Sequence, residues 1–257
     1  MHSAVAEGVA VFAAAFVAGM INSVAGGGTL ITFPTLVWLG RDPIIANVTS
    51  TVALWPGSLG GMLGFRRELG DSRRWMLLLA GPSIAGGLLG AFLLLRTPSR
   101  TFAAIVPYLI LFATILFAVQ EPLARWLRRN EEAPGGQRDD WWLGIAAFQF
   151  LVAVYGGYFG AGIGILMLAA LGLLGLSDIH QMNGLKNFCA VCINLVAAGY
   201  FMLWGPVNWL DAMVMGAGAI TGGFGGAGLA RRLGREFVRH VVVVIGFAMA
   251  ISLFLRG

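Results

Sequence analysis

Three consecutive glycines, Gly26-Gly27-Gly28, interrupt the first long apolar run of this chain. Each glycine in a helix interior costs roughly 1 kcal/mol against alanine, so a continuous helix through them is disfavoured. A helix that stops, exposes backbone amides and restarts is the arrangement such a stretch permits. Gly160-Ala161-Gly162-Ile163-Gly164 interrupts a later apolar run in the same way. The pair of interruptions is expected to form the centre of the molecule.

Composition fixes the solvent these breaks sit in. Hydrophobic residues make up 58% of the 257 positions and charged residues only 11%, with a mean hydropathy of +0.82. Soluble domains carry about 25% charged residues, so the expectation is an all-α polytopic membrane protein. The net charge of +5 comes from short cationic clusters between apolar runs. That is the pattern of cytoplasmic loops, and no basic face interleaved with aromatics offers a nucleic-acid surface. The first apolar run lacks a basic flank and is expected to be a retained membrane segment. Cys189 and Cys192 share one apolar segment without a second pair, and small buried helix residues are the expected reading.

An internal repeat organises the chain. A single constant offset carries Gly26 onto Gly162, Gly28 onto Gly164, Asp42 onto Asp178 and Asn47 onto Asn183. Without a gap it also carries Gly86-Gly87 onto Gly222-Gly223 and Gly90-Ala91 onto Gly226-Ala227. The expected division is a first repeat over 1–120, a cytoplasmic linker over 121–140 and a second repeat over 141–257. Five apolar segments per repeat give about eight to ten membrane segments, at roughly 20 residues per crossing. The pieces after each glycine stretch, 29–40 and 165–176, are too short to cross alone and read as half-helices or arms of re-entrant hairpins.

Cations set the orientation. Arg66, Arg67, Arg73 and Arg74 mark a cytoplasmic loop in the first repeat. The equivalent loop, Trp204 to Asp211, has neither Lys nor Arg and is expected outside. Arg231, Arg232, Arg235 and Arg239 mark the inside in the second repeat, where the first keeps only Arg96 and Arg100. The two copies therefore insert upside down relative to one another, a common build for secondary transporters, and both termini are expected outside if each short half-helix pairs with its predecessor as a hairpin.

Restarting helices present free N–H groups and the positive end of a helix dipole, which bind anions. Asn22, Gly26, Gly27, Gly28 and Thr29 at the first break, and Gly162 and Gly164 at the second, are thus candidate binding residues. Close helix packing is the alternative for these glycines, and the better reading for Gly86, Gly90, Gly218, Gly222 and Gly226. Asp42-Pro43 has the form of a helix N-cap, and Asp178 takes the matching place. Polar residues recur inside the third apolar segment of each repeat: Asn47, Thr49 and Ser50 in one, Asn183, Lys186 and Asn187 in the other. Their rival role is interhelical hydrogen bonding. Lys186 is the single lysine of the chain. An ammonium at such depth costs at least about 2.5 kcal/mol, so a cation facing a cavity and pairing with an anion is expected, with snorkelling as the rival.

These residues carry a resemblance. Asn22-Ser23-Val24-Ala25-Gly26-Gly27-Gly28-Thr29-Leu30, Pro34, Ala46-Asn47-Val48-Thr49-Ser50 and Phe159-Gly160-Ala161-Gly162-Ile163-Gly164 resemble the TauE/SafE family of sulfite and organosulfonate exporters. The resemblance implies an inverted repeat of broken-helix bundles and sulfur-containing anions such as sulfite, sulfoacetate or related sulfonates as cargo. By position it also implies that the glycine breaks, Asn47, Thr49, Ser50, Asn183 and Lys186 form the substrate shell. Leu185-Lys186 departs from the Thr-Ser pair that many such proteins carry there, which bears on substrate choice.

Taken together, the expected protein is a secondary transporter of the inner membrane that exports a small sulfur anion by alternating access. An anion channel or an uptake permease is the alternative, and an integral-membrane enzyme fits least, because ionisable groups at depth are too few. No cofactor or metal is expected. The expected partners are a small anionic substrate and the lipid bilayer, with a homodimer left open and no nucleic acid.

Overall fold

A computed structural model describes residues 2–24, 27–64, 72–129, 142–173, 176, 179–225 and 235–256. Among them every regular element is helical. The first five helices are α1 His2–Val24, α2 Thr29–Trp38, α3 Pro43–Gly64, α4 Arg73–Arg96 and α5 Ser99–Arg129. The second five are α6 Trp142–Tyr158, α7 Ile163–Leu173, α8 Ile179–Trp204, α9 Trp209–Gly225 and α10 Arg235–Arg256. The starts of α3, α4 and α5 precede those of α8, α9 and α10 by the very offset that relates Gly26 to Gly162 in the sequence. Residues 5–22, 73–96, 99–119 and 181–204 are each long and apolar enough to cross a membrane. Shorter apolar helices occupy 29–38, 143–158, 163–172 and 240–255. The protein is polytopic.

Local signals account for the ends. Asp42 Oδ1 accepts from the Ile44 amide at 2.8 Å and the Ile45 amide at 3.4 Å, so it caps α3 ahead of Pro43 as its spacing predicts. The matching Asp178 lies outside the described residues. Helix α5 continues through Arg129, so the first nine residues of the expected linker prolong a membrane helix. Gln120 to Arg129 contain no glycine or proline apart from Pro122, and nothing in that run stops a helix already under way.

Helix pairing exchanges the two halves. α1 packs along α9, and α4, the counterpart of α9, packs along α6, the counterpart of α1. Glycines allow both contacts. A Cβ at Gly218 or Gly222 would fall on the carbonyls of Phe12 or Phe16, and one at Gly86 or Gly90 on those of Phe150 or Val154. Each step of four on one helix matches a step of four in the same sense on its partner, so each pair runs parallel. The packing role expected for these four glycines is what they perform; Gly226 lies outside the described residues. α4 also runs parallel to α8, with Gln181 Nε2 donating to Ser72 Oγ at 3.0 Å and Gly87 lying against Ile193. Cys189 is a buried free thiol on the same helix.

The candidate anion site

Both helix breaks are present. At the first, α1 ends at Val24 and α2 begins at Thr29, with Gly27 at φ +95°. At the second, α6 ends at Tyr158 and α7 begins at Ile163, with Gly160 at +80° and Gly162 at +77°. Only glycine takes such angles without Cβ strain, which is why the breaks are glycine-rich.

One turn of α5 touches both breaks. The Phe117 ring lies where a Cβ of Gly27 would be, and Ala113 Cα lies 3.6 Å from where a Cβ of Gly162 would be. Ala113 and Phe117 are four residues apart, a rise of about 6 Å, so the two interruptions meet at one level of the bundle. Phe159 in the second break also packs edge-on against Phe33 of α2, with ring centroids 5.3 Å apart. The broken backbone is therefore packed against protein on these sides, as irregular backbone within a membrane protein must be.

Side chains then divide into those that hold the breaks and those beside them. Asn22 Oδ1 accepts from the Gly28 amide at 2.8 Å, closing the first break like a cap. Thr32 Oγ1 donates to the Gly28 carbonyl at 3.3 Å, and Thr32 and Ser50 hydroxyls share a hydrogen at 2.6 Å. Ser50 on α3 thus fastens the first turn of α2. Thr49 points elsewhere: its Oγ1 accepts from the Asn208 amide at 3.0 Å, while Asn208 Oδ1 caps α9 through the Asp211 amide at 3.2 Å. Thr29 opens α2, half-buried. Gly26 lies outside the described residues.

At the second break, Tyr155 Oη donates to the Ala161 carbonyl at 2.7 Å. Asn47 Nδ2 donates to the Tyr158 carbonyl, the last of α6, at 2.9 Å. A Cβ at Gly164 would lie 3.3 Å from Lys186 Cδ, so the lysine stem runs across the start of α7. Lys186 Nζ donates to Asn183 Oδ1 at 3.0 Å, one helical turn back along α8. Asn187 is half-buried on the same helix. The structure thus gathers Gly162, Gly164, Asn47, Asn183 and Lys186 around the second break. It sends Thr49 to a helix cap.

Sequence reasoning missed Thr32, Tyr155 and Phe117. A hydroxyl four residues past a helix break signals Thr32, whereas nothing local distinguishes the other two from core aromatics.

A family model described as "Sulfite exporter TauE/SafE" matches residues 11–253. The chain is 32% identical over 244 residues to a "probable membrane transporter protein" of Haemophilus influenzae, covering 93% of this chain and 91% of that protein. It is 27% identical over 242 residues to a "probable membrane transporter protein" of Sinorhizobium, covering 94% and 90% respectively. The corresponding protein of Escherichia coli K12 is 26% identical over 243 residues, covering 94% and 87%. No solved structure matches the chain.

Proposed function

Because the chain belongs to the sulfite exporter TauE/SafE family and is a multi-pass membrane transporter of that type, we propose that it exports a small sulfur-containing anion, an organosulfonate or sulfite, across the inner membrane by alternating access. The observation that carries this reading is the meeting of both breaks on one turn of α5, with the Lys186 stem laid over Gly164. A sulfonate presents three acceptor oxygens, which suit an ammonium, carboxamide N–H groups and the amides of a restarting helix. Lys186, Asn183 and Asn47 supply binding groups of this kind beside the second break.

Opposed insertion of the halves supports alternating access. Residues 205–208 join α8 to α9. The five Cα–Cα steps from Trp204 to Trp209 reach at most about 18 Å, too little to recross about 30 Å of hydrocarbon, so α9 runs back in the sense opposite to α8. α4 runs parallel to α8 and therefore opposes α9, its counterpart in the other half. Two opposed copies around one central site can rock between inward and outward access. A potential of 100 mV, negative inside, drives a monovalent anion outward with about 2.3 kcal/mol.

The test is flux in proteoliposomes loaded with sulfite, sulfoacetate or 2-hydroxyethanesulfonate. Saturable, potential-driven efflux of one of them is expected. No flux and no binding across the panel would remove the substrate class, and channel-like currents would remove alternating access.

A further inference from the structure

Asn47 is buried, with 1% of its surface exposed, and among the described residues its Oδ1 has no hydrogen-bond partner. Its orientation is not free. The Tyr158 carbonyl accepts from Nδ2 at 2.9 Å, which obliges the amide nitrogen to face that carbonyl and turns the oxygen away from it. The two atoms of one carboxamide lie only about 2.3 Å apart by ordinary covalent geometry. The orphan oxygen therefore also sits beside the second break. A buried acceptor without a donor costs about 1–3 kcal/mol, so a membrane protein that keeps one calls for an explanation.

The other half of the molecule supplies a comparison. Asn183 stands one repeat further on, in the same place on α8. Its Oδ1 receives a hydrogen bond from Lys186 Nζ at 3.0 Å. The residue in the position of Lys186 is Ser50 in the first half, and the Ser50 hydroxyl is engaged with Thr32 at 2.6 Å. One half fills its asparagine acceptor from within the chain, and the other leaves it open.

We infer that Asn47 Oδ1 is the acceptor for a hydrogen-bond donor on the transported anion, so that the preferred cargo carries a hydroxyl, an ammonium or an S–O–H group besides its negative charge. This inference rests on the transport reading above and narrows its substrate class. The anionic oxygens face Lys186 and the break amides, while the donor engages Asn47. Because the oxygen is sealed in this state, the donor reaches it when one half swings open. An anion without a donor leaves the acceptor unpaired and forfeits that contact. A site built to hydrogen-bond a hydroxyl discriminates strongly against the analogue lacking it, by factors well above about tenfold.

Two sulfonates of equal charge and nearly equal size decide the matter: 2-hydroxyethanesulfonate and ethanesulfonate, titrated against the purified full-length protein. The parent is expected to bind the hydroxylated ligand at least about tenfold more tightly. In Asn47→Leu that ratio is expected to fall to about one, with thermal unfolding recorded alongside to register loss of the Tyr158 anchor. Equal affinity of the parent for the two ligands overturns the inference without any variant, and a ratio unchanged in Asn47→Leu overturns the assignment to Asn47. Binding of neither ligand, nor of sulfite, overturns the transport reading and this inference with it.

Discussion

Arg41 Nε donates to Asp211 Oδ2 at 2.8 Å, tying together residues 170 positions apart. The guanidinium also reaches Asp211 Oδ1 at 3.4 Å and Glu7 Oε2 at 3.2 Å. Arg41 lies in the link from α2 to α3, Asp211 in the first turn of α9 and Glu7 in α1. The cluster therefore fastens the first break's hairpin to the opposite half. The repeat-equivalent positions are Ser177, Trp75 and Leu143, none charged. Those three residues cannot form the same ion-paired tie in the other half.

Removing Arg41 is expected to matter more than removing Glu7. Asp211 is 6% exposed, and Arg41→Ala strands its carboxylate, so a loss of about 1–3 kcal/mol is expected. The Glu7 side chain is 40% exposed, and Glu7→Gln should cost less than about 1 kcal/mol. The Asp211 hydrogen bond pushes the Arg41 guanidinium further up from its ordinary value. A group raised on folding contributes below its unfolded value and loses its effect only as pH rises through the folded one. Hence thermal unfolding in detergent should show no loss of this tie on alkaline titration up to about pH 10. Equal destabilisation by the two variants would contradict the assignment.

Alanine at the breaks tests their geometry. Gly27→Ala meets both an adverse φ of +95° and the Phe117 ring, so it should destabilise by about 2 kcal/mol or more. Phe117→Leu makes room for the added methyl but leaves the backbone angle, so the double variant should recover only part of the loss. Full recovery would mean that the angle costs nothing.

Gly164→Ala should separate binding from folding. The nearest atoms to the new methyl belong to the flexible Lys186 stem, with Cδ at 3.3 Å, so the fold should survive. The ammonium, however, must shift. Sulfonate affinity is expected to fall several-fold with little change in unfolding temperature, and Lys186→Ala should lower it by about tenfold or more. An unaltered titration for Lys186→Ala would take the lysine out of the site.

Glycines on the two packed helices α1 and α9 should respond in opposite ways. A methyl on Gly222 of α9 would strike the Phe16 carbonyl, forcing α1 and α9 apart. A loss of about 2–4 kcal/mol follows. Gly8, on α1, has no described residue within 4 Å of such a methyl, and Gly8→Ala should gain up to about 1 kcal/mol from helix propensity alone. Melting curves of the two variants and the parent make the comparison.

Much of the fold can be read along the chain because backbone and solvent constraints are local. Gly27 and Gly162 announce their breaks, since no other residue takes a positive φ freely. Asp42 ahead of Pro43 announces a cap, and Gly86 and Gly222 at four-residue spacing announce close helix contacts. The site was less legible. Asn22, Thr49 and Ser50 are each candidate binding residues by sequence, yet each hydroxyl or amide has a partner in the backbone or a neighbouring helix: the Gly28 amide, the Asn208 amide and Thr32. A polar side chain in an apolar segment must find a partner, but sequence spacing does not say which one.

The sequence by itself determined a membrane solvent, ten helical stretches in two related sets, and the two points where helices must break. Those follow from hydropathy, from one constant offset and from the φ range that glycine alone commands. Only the tertiary structure decided that α1 lies along α9 and α4 along α6, that one turn of α5 touches both breaks, and that Lys186 crosses Gly164 while Asn47 Oδ1 is left without a donor. The physical reason is range. Conformational preference acts between neighbours in the chain, whereas the partner of a buried polar atom is fixed by which helix happens to pack beside it.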